Sequence, residues 1–257
     1  MRAIVLILTL CISAGLLADE LVLVPIWYDG PGDAGSRWTT HLSVYNGTRY
    51  YLQGNDRGAL PCQWLLNPCP RGFWANTMIV YQASLAIPGG FVMSLPGDFG
   101  NDLHFTLRIF ERTAWQEDLG TDLPVVRERD FRRGPVQIMN VPAADPNAFR
   151  YTLRGYAINN GSGNAFVPRA RLNGWITMAD GSPDLVLTRE VALIPALRGL
   201  GHYYFEDGNF VRELVTVAGA MGSLRVEIEP LTPNLRWWGM VSSTNNRSSD
   251  VTVVTPN

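Results

Sequence analysis

The sequence contains no lysine, because all 21 of its basic residues are arginine. This absence excludes Schiff-base catalysis, covalent attachment of pyridoxal phosphate and the phosphate-binding lysine of P-loops, since each needs a primary amine. We interpret it as the codon usage of a GC-rich genome rather than as a selected function. The chain also has only three histidines and three cysteines. Histidine and cysteine, which often serve as general bases, nucleophiles and metal ligands, are therefore scarce, and we expect no cofactor.

The chain also lacks an excess of charge of either sign. Its 21 basic residues stand against 23 acidic ones, which gives a formal net charge of −2. This balance argues against a nucleic-acid partner or an anionic membrane surface, because both require a basic face. Beyond the N-terminus, no apolar run approaches the roughly 18 residues of a membrane-spanning helix. We expect no membrane insertion of the mature chain.

Residues 1–18 have the layout of a secretory signal peptide. Arg2 precedes an uncharged, largely apolar run from Ala3 to Leu17, which is followed by a small residue and then by two acidic residues. The run is too short to favour a spanning helix. We predict cleavage after Ala18 and a secreted protein, either periplasmic or extracellular.

Cys62 and Cys69 are the cysteines that remain after removal of the signal peptide. In an oxidising compartment, two cysteines separated by proline and Asn-Pro turn residues indicate one local disulfide. A loop this short gains little entropy from closure, so we expect the bridge to fix a loop rather than to hold the fold together. A metal site at these thiols is disfavoured because no histidine or further cysteine lies nearby.

Alternating apolar and polar residues recur along most of the chain. In Leu103–Ile109 and Ser223–Glu229, every second residue is apolar, which is typical of strands with one buried and one wet face. Asn-Gly, Asp-Gly and Pro-Gly-Gly turn signals separate such segments. The pattern predicts an all-β fold, with one short helix at Asn209–Val217 whose buried stripe would include Phe210, Leu214 and Val217.

A polar, charged stretch near residues 112–134 marks a predicted domain boundary. It ends in the run Arg127–Arg133, where opposite charges alternate and can pair with each other, as in a solvated connector or an inter-domain surface. The segments on either side have the size of typical β-sandwich domains. We predict two tandem antiparallel β-sandwich domains of the immunoglobulin-like type at 19–125 and 126–257.

Six segments spread over most of the mature chain form a recognisable set: Val24-Pro25, Trp38–Asn46, Gly120–Arg132, Phe149–Arg154, Val241–Asn246 and Val251–Pro256. Together they resemble a group of uncharacterised secreted bacterial β-sandwich proteins that have no known activity. The resemblance implies export and a β-sandwich architecture, but it brings no active site to this chain.

The sequence identifies no catalytic residue. Gly-x-Ser-x-Gly, His-Glu-x-x-His and zinc-type Cys/His spacings are absent from the sequence. His41 and His104 fall on the polar face of strand patterns, which predicts surface or inter-strand histidines. His202 lies in a glycine-flanked segment with two acids, Glu206 and Asp207, and is the most site-like of the three histidines.

Paired carboxylates offer the alternative of a glycoside hydrolase, which needs two Asp or Glu side chains across one bond. The candidate acids are Glu111, Glu117, Asp118, Asp122, Glu206 and Asp207. No feature of the sequence selects a pair among them. Acids in the Gly-rich turns, such as Asp29 and Asp180, are turn-formers rather than a complete calcium loop.

Eight tryptophans in one secreted β chain suggest flat faces on which sugar rings can stack. The strand phase of Trp38 and Trp237 predicts burial, because it matches neighbouring apolar positions. Other aromatic residues are not assigned to the core by phase. We take as weak ligand-binding candidates Trp64, Trp74, Trp238, Tyr203, Tyr204 and His202.

The sequence as a whole favours a non-enzymatic binding or structural protein of the cell envelope or exterior. Its partner would be a carbohydrate or an envelope or surface protein. The alternative is a carbohydrate-active enzyme with a carboxylate pair. A third hypothesis is a subunit of a surface assembly, which predicts exposed strand edges that pair with partners.

Overall fold

The computed structural model describes residues 20–32, 35–49, 51–53, 72–95, 101–112, 120–159, 167–178, 180–196, 201–219 and 223–256. The predicted signal peptide at residues 1–18 lies outside these ranges. So do Cys62, Cys69 and Trp64, and the predicted disulfide stays a prediction.

The described chain is built almost entirely from β-strands, as its alternating pattern predicts. The strands are β1 Glu20–Val24, β2 Asp29–Pro31, β3 Arg37–Asn46, β4 Leu52–Gln53, β5 Gly72–Phe73, β6 Thr77–Gln82, β7 Phe91–Leu95, β8 Leu103–Glu111, β9 Gly120–Leu123, β10 Val126–Arg127, β11 Val136–Val141, β12 Phe149–Ile158, β13 Arg169–Thr177, β14 Pro183–Ala192, β15 Ile194–Pro195, β16 His202–Asp207, β17 Ser223–Pro230, β18 Arg236–Asn245 and β19 Val251–Val254. A short 3₁₀ helix spans Glu128–Asp130. The described residues also include an α-helix, α1, at Phe210–Ala218.

The strands form several sheets, and all of the strand pairs in them are antiparallel. In the first half of the chain, β10-β1-β7 form one sheet, while β2, β6, β8 and β9 assemble around β3 in another. In the second half, the strand orders are β11-β17-β13-β14 and β15-β16-β12-β18-β19. The short ribbon β4-β5 stands apart. The prediction of an all-β fold with antiparallel sheets is confirmed.

Two large hydrophobic clusters each lie between two sheets. The N-terminal core packs β10-β1-β7 against the β3 sheet, and it consists of Val22, Val24, Trp27, Leu42, Val44, Tyr81, Ala83, Ile87, Phe91, Met93, Leu95, Leu103, Leu107 and Leu123. The C-terminal core packs the two sheets of the second half together around α1, and its largest members include Trp237, Phe210, Ile138 and Leu153. Burial at every second position is confirmed for β17 at Leu224, Val226 and Ile228. In β8 the predicted face packs on the N-terminal core, with Leu103 and Leu107 buried and Phe105 and Ile109 half-buried.

A third cluster, the central core, joins the two halves of the chain. It consists of Leu23, Val126, Phe131, Tyr156, Ile158, Trp238 and Met240. Leu23 lies between Val22 and Val24 of the N-terminal core, so β1 is buried on both of its faces. The β10-β1-β7 sheet is therefore an inner layer. The domain division between residues 125 and 126 stays a prediction.

The predicted helix is present, but its buried stripe differs from the expected one. Phe210, Val211, Leu214 and Val215 are buried in the C-terminal core, whereas Val217 is exposed. Asp207 stabilises the first turn, because its carboxylate accepts hydrogen bonds from the backbone N–H groups of residues 209 and 210 at 2.8 Å.

The described ion pairs of the run at residues 127–133 join it to residues outside the run, whereas the alternation predicted pairing within it. Arg127 lies 2.8 Å from Glu20 of β1, and Arg236 of β18 lies 3.2 Å from Glu128. Glu128 also accepts a hydrogen bond from the backbone N–H of Leu21 at 3.1 Å. The run thus holds β1 and β18 together rather than forming a free basic patch.

A glycine turn from the first half contacts the second half closely. Gly89 lies in the Pro-Gly-Gly turn before β7 and has a φ of +74°, which favours glycine. A Cβ atom at Gly89 would lie 2.3 Å from the ring of Tyr204 in β16. Glycine is thus required here both for its conformation and for this close approach.

We expect Gly89→Ala to destabilise the protein more than Gly181→Ala. Both glycines have a positive φ, and alanine costs about 1–2 kcal/mol in that region. A Cβ atom at Gly181 meets no atom within 4 Å, so that variant measures the backbone cost alone. Urea denaturation should show the larger loss of unfolding free energy for Gly89→Ala. Equal losses would mean that the Tyr204 contact does not constrain the turn.

Candidate functional site

Trp74 is the sequence-predicted candidate that the structure places most openly on the surface. Its side chain is 70% exposed, and it follows β5 directly in the chain. Its ring lies 4.8 Å from that of Tyr51, measured between centroids. The β4-β5 ribbon creates this contact. It pairs Leu52 with Phe73, so Tyr51 and Trp74, which flank this pair in the sequence, lie side by side.

Asn46, at the end of β3, fixes the segment that carries Trp74. Its side chain is fully buried, and its Nδ2 donates a hydrogen bond to the Trp74 carbonyl at 3.2 Å. The Asn46 carbonyl accepts the backbone N–H of Asn76 at 2.7 Å, while its Oδ1 accepts both the N–H and the hydroxyl of Thr48. The Thr77 hydroxyl also donates to the Trp74 carbonyl, at 2.6 Å. Trp74 is therefore exposed but held in place at its backbone.

Tyr45 extends the exposed aromatic surface onto the β3 sheet. It is 38% exposed, stands on the face opposite the N-terminal core, and donates a hydrogen bond from its hydroxyl to Asn76 at 3.2 Å. Its ring centroid lies 6.0 Å from that of His104 on β8. We call Tyr45, Tyr51 and Trp74 together the aromatic face. Tyr45 is not among the candidates predicted from the sequence, although its alternation with the buried Leu42 and Val44 indicates an outward-facing side chain.

Neutral groups surround Tyr45 on the outer surface of the sheet. The strand pairings place Met78, Tyr45 and His104 in one row across the sheet and Val80, Ser43 and Thr106 in the next. Charged side chains lie beyond these two rows. Arg108, 3.9 Å from Asp122, follows the Ser43 row, and the exposed Asp102, whose carbonyl accepts the N–H of Gly47, follows the Tyr45 row. The surface therefore offers apolar ring faces beside hydroxyl and amide groups. His104 is exposed here, as its strand phase predicts.

Trp238 does not belong to an exposed site, contrary to the expectation from its strand phase. It does point away from Trp237, but it is only 5% exposed and lies in the central core. The alternation was correct, and the error arose because the second face of β18 is covered by β1 and the connector. The predicted burial of Trp38 and Trp237 is confirmed.

Trp238 also contributes to a pocket of about 370 Å³ at the junction of the two halves. The pocket is lined by Pro124, Val125, Val126, Arg129, Asp130, Arg132, Trp238, Thr255 and Pro256. Its charged groups have both signs, and they do not converge with any other candidate residue.

His202 is buried rather than exposed in a loop. It is the first residue of β16, is 1% exposed, and stacks on Tyr156 with 6.0 Å between ring centroids. Within the described part of the chain, neither ring nitrogen has a hydrogen-bond partner. Burial lowers the pKa of His202 to about 4, so the ring is neutral at pH 7. It therefore serves packing and cannot reach a ligand at the surface.

Tyr203 and Tyr204 are half-buried, and each packs against a core. Tyr203 contacts the C-terminal core and Tyr204 the central core, because adjacent strand residues face opposite ways. The ring of Tyr204 lies against Gly89. They are thus structural contacts and lie apart from the aromatic face.

The carboxylates of Glu206 and Asp207 point to opposite faces of β16, and each pairs with its own arginine. Glu206 lies 2.9 Å from Arg154, and Asp207 lies 2.9 Å from Arg189. Burial alone would raise the pKa of Asp207. The hydrogen bonds from the backbone N–H groups of residues 209 and 210, together with the Arg189 guanidinium, lower this pKa overall. These two acids cannot flank one glycosidic bond. Glu117 and Asp118 lie outside the described residues.

The described residues contain no group of three or more His, Cys, Asp or Glu side chains arranged to hold a metal ion. They also contain no helix with the length and apolar character required to cross a membrane.

Comparisons with known proteins add little to this geometry. No known protein family and no curated protein matches the chain. Among solved structures, a chain in the "Structure of infectious bursal disease virus Gt strain" aligns with 93% of this chain and 72% of its own length, at 11% sequence identity and a TM-score of 0.20. A likeness at that TM-score carries no argument about fold or function.

We expect the buried His202 to make stability depend on pH. Its pKa is about 4 when folded and about 6.5 when unfolded, so between these values the unfolded chain binds more protons. The unfolding free energy should therefore rise by about 3 kcal/mol from pH 4 to pH 6.5 through this group and then level off.

Urea denaturation of the wild type and of His202→Phe across this pH range measures that contribution. The variant should lose this part of the slope, while the control His104→Gln, on the exposed surface, should retain it. Identical slopes for the wild type and His202→Phe would show that the buried ring does not carry the effect.

Proposed function

We propose that this protein is an exported, non-enzymatic binding protein whose aromatic face binds a carbohydrate. The observation that carries the proposal is Trp74, which is 70% exposed yet fixed through its backbone by the buried Asn46. Large aromatic side chains are usually buried, and exposed ones that cluster mark binding surfaces. Holding the segment in place before binding reduces the entropy lost on association.

The chemistry of the aromatic face suits a neutral glycan. A sugar ring presents a C–H face, which packs on an aromatic ring, and hydroxyl groups, which bond to neutral polar side chains. Tyr45, Tyr51 and Trp74 provide the rings, while Ser43 and Asn76 lie beside them. The rows of Tyr45 and Ser43 themselves carry no side chain with a formal charge, which appears beyond them at Asp102 on one side and at Arg108 and Asp122 on the other. An anionic ligand would find no cation within the rows around Tyr45.

The alternative of a glycoside hydrolase has less support. It needs two carboxylates facing one bond at a separation of roughly 5–10 Å. Glu206 and Asp207 lie on opposite faces of β16, and Asp122 pairs with Arg108. The hydrogen bonds and the Arg189 ion pair lower the pKa of Asp207, whereas a general acid must be protonated at working pH.

The proposed architecture is a signal peptide followed by two tandem immunoglobulin-like sandwiches. Support for two units comes from the clusters, since the N-terminal core draws on residues 22–123 and the C-terminal core on residues 136–241. Support for export comes from the charge and apolar pattern of residues 1–18.

N-terminal sequencing of the protein expressed with its leader in a bacterial host tests export. The mature chain should begin at Asp19, and its mass should be lower by two hydrogens until reduction opens the predicted Cys62–Cys69 bridge. Retention of Met1 on a cytoplasmic product would contradict the proposal.

Binding to a broad array of neutral glycans tests the function itself. We expect saturable binding by residues 19–257 and at least about a tenfold loss for Trp74→Ala, because a stacked aromatic ring contributes on the order of 1.5 kcal/mol or more. Tyr45→Ala should also weaken binding, since it removes the second ring surface.

The matched control is Met178→Ala, which truncates an exposed apolar side chain on a distant strand end. It should leave the affinity unchanged. Equal losses for Met178→Ala and Trp74→Ala would mean that binding is non-specific. An array without binding would remove the carbohydrate assignment, and detection of substrate turnover would overturn the non-enzymatic one.

A further inference from the structure

The strand β6 forms an edge of the β3 sheet that lacks the usual protection. In the described part of the chain it pairs with β3, and no other described strand lies on its far side. Its sequence, Thr77–Gln82, has no charged residue, proline or glycine. Two of its side chains, Met78 and Val80, are 61% and 50% exposed. Such edges attract another strand, and native proteins normally block them with charge, proline or a bulge.

Other described sheet edges carry such protection. Asp122 lies on β9, Pro195 ends β15, and β11 has a bulge between Ile138 and Val141. The long edge strand β14 contains an aspartate, an arginine and a glutamate. The uncharged β19 edge accepts a hydrogen bond from Thr121. The β7 edge is uncharged as well, but its described apolar side chains are buried or half-buried. Among the described edges, β6 combines the lack of charge with exposed apolar side chains, Met78 and Val80.

We propose that β6 pairs with β6 of a second copy of this chain, which joins two β3 sheets into one continuous antiparallel sheet. A two-fold axis through Val80 places Val80 opposite its own counterpart and Met78 opposite Gln82. Directly opposite residues then share a face, so Ile79 and Tyr81 remain on the core side in both copies.

Charge selects a second copy as the occupant. A two-fold axis brings each segment against itself, so any charge on the strand faces a like charge and weakens the pair. Thr77–Gln82 has no such charge, whereas β14 paired with itself would bring Asp184, Arg189 and Glu190 into contact with one another. The apolar Met78 and Val80 would lose exposed surface at the same seam.

The continuous sheet would also place two aromatic faces on one side of the dimer. A two-fold axis perpendicular to the sheet keeps the outer surface of both copies on the same side. One polymeric glycan could then contact Tyr45 and Trp74 of each copy, which raises the effective affinity without new contacts. This consequence rests on the proposed function, but the β6 pairing does not.

Analytical ultracentrifugation of residues 19–257 measures the pairing directly. The wild type should sediment as a species with twice the mass of one chain. Val80→Lys should be monomeric at the same concentration, because two like charges oppose each other at the seam. Val80→Glu should also be monomeric, and an equimolar mixture of the two variants should recover the dimer because opposite charges then meet.

The matched control is Leu185→Lys, which introduces the same charge at an exposed apolar position on the β14 edge. It should remain dimeric, and circular dichroism should show all variants folded.

A monomeric wild type would overturn the proposal, as would a dimer that survives Val80→Lys or a mixture of the Lys and Glu variants that stays monomeric. Glycan binding by a monomeric wild type would leave the proposed function intact and remove only the pairing.

Discussion

The burial of β1 on both faces is the contact on which the other layers depend. Val22 and Val24 belong to the N-terminal core and Leu23 to the central core, so one five-residue strand packs against two different sheets. Burying such side chains contributes roughly 1.5–3 kcal/mol each. Two contacts at the start of β1 fix its register against the segment at residues 127–133. Glu20 pairs with Arg127, and the backbone N–H of Leu21 donates to Glu128. The position of the β3 sheet, and hence of the aromatic face, follows from this packing.

Burial separates the aromatic residues of this chain into two groups. Trp27, Tyr156, Trp237 and Trp238 fill the cores, where their large apolar areas stabilise sheet-on-sheet packing. Tyr45, Tyr51 and Trp74 stay at the surface, where they gain no such stabilisation. Their segment is nevertheless fixed by a fully buried asparagine, and burying a polar side chain is tolerated only when it is hydrogen-bonded. Asn46 meets that condition through Thr48 and Trp74, so the structure devotes a buried polar group to orienting an exposed ring.

The charged side chains of the described residues serve mainly the fold. On the outer surface of the second half, Arg171 lies between Glu190 and Glu229, and Asn173 donates to both Glu227 and Glu229. At the helix, Asp207 joins the first turn of α1 to Arg189. Each such exposed pair contributes little to stability, but together the pairs form networks that engage arginine side chains in a chain without lysine. The uncharged strand β6 and the neutral rows around Tyr45 differ from this general pattern, and for that reason they carry the two interaction proposals.

The sequence by itself determined the all-β class, the inward residues of strands such as β8 and β17, the burial of Trp38 and Trp237, and the presence of α1, because period-two and helical patterns report which residues share a face. Local pattern does not report what covers the opposite face. Trp238 and His202 were therefore assigned to an exposed site, although the tertiary structure buries them between sheets. Likewise, Tyr51 and Trp74 become neighbours only through the β4-β5 ribbon, and Asn46 meets Trp74 across 28 positions of sequence. Strand pairing decided the contacts of Trp74, and the packing of sheet on sheet decided the burial of Trp238 and His202, since layers distant in sequence cover a strand face that the strand's own residues do not describe.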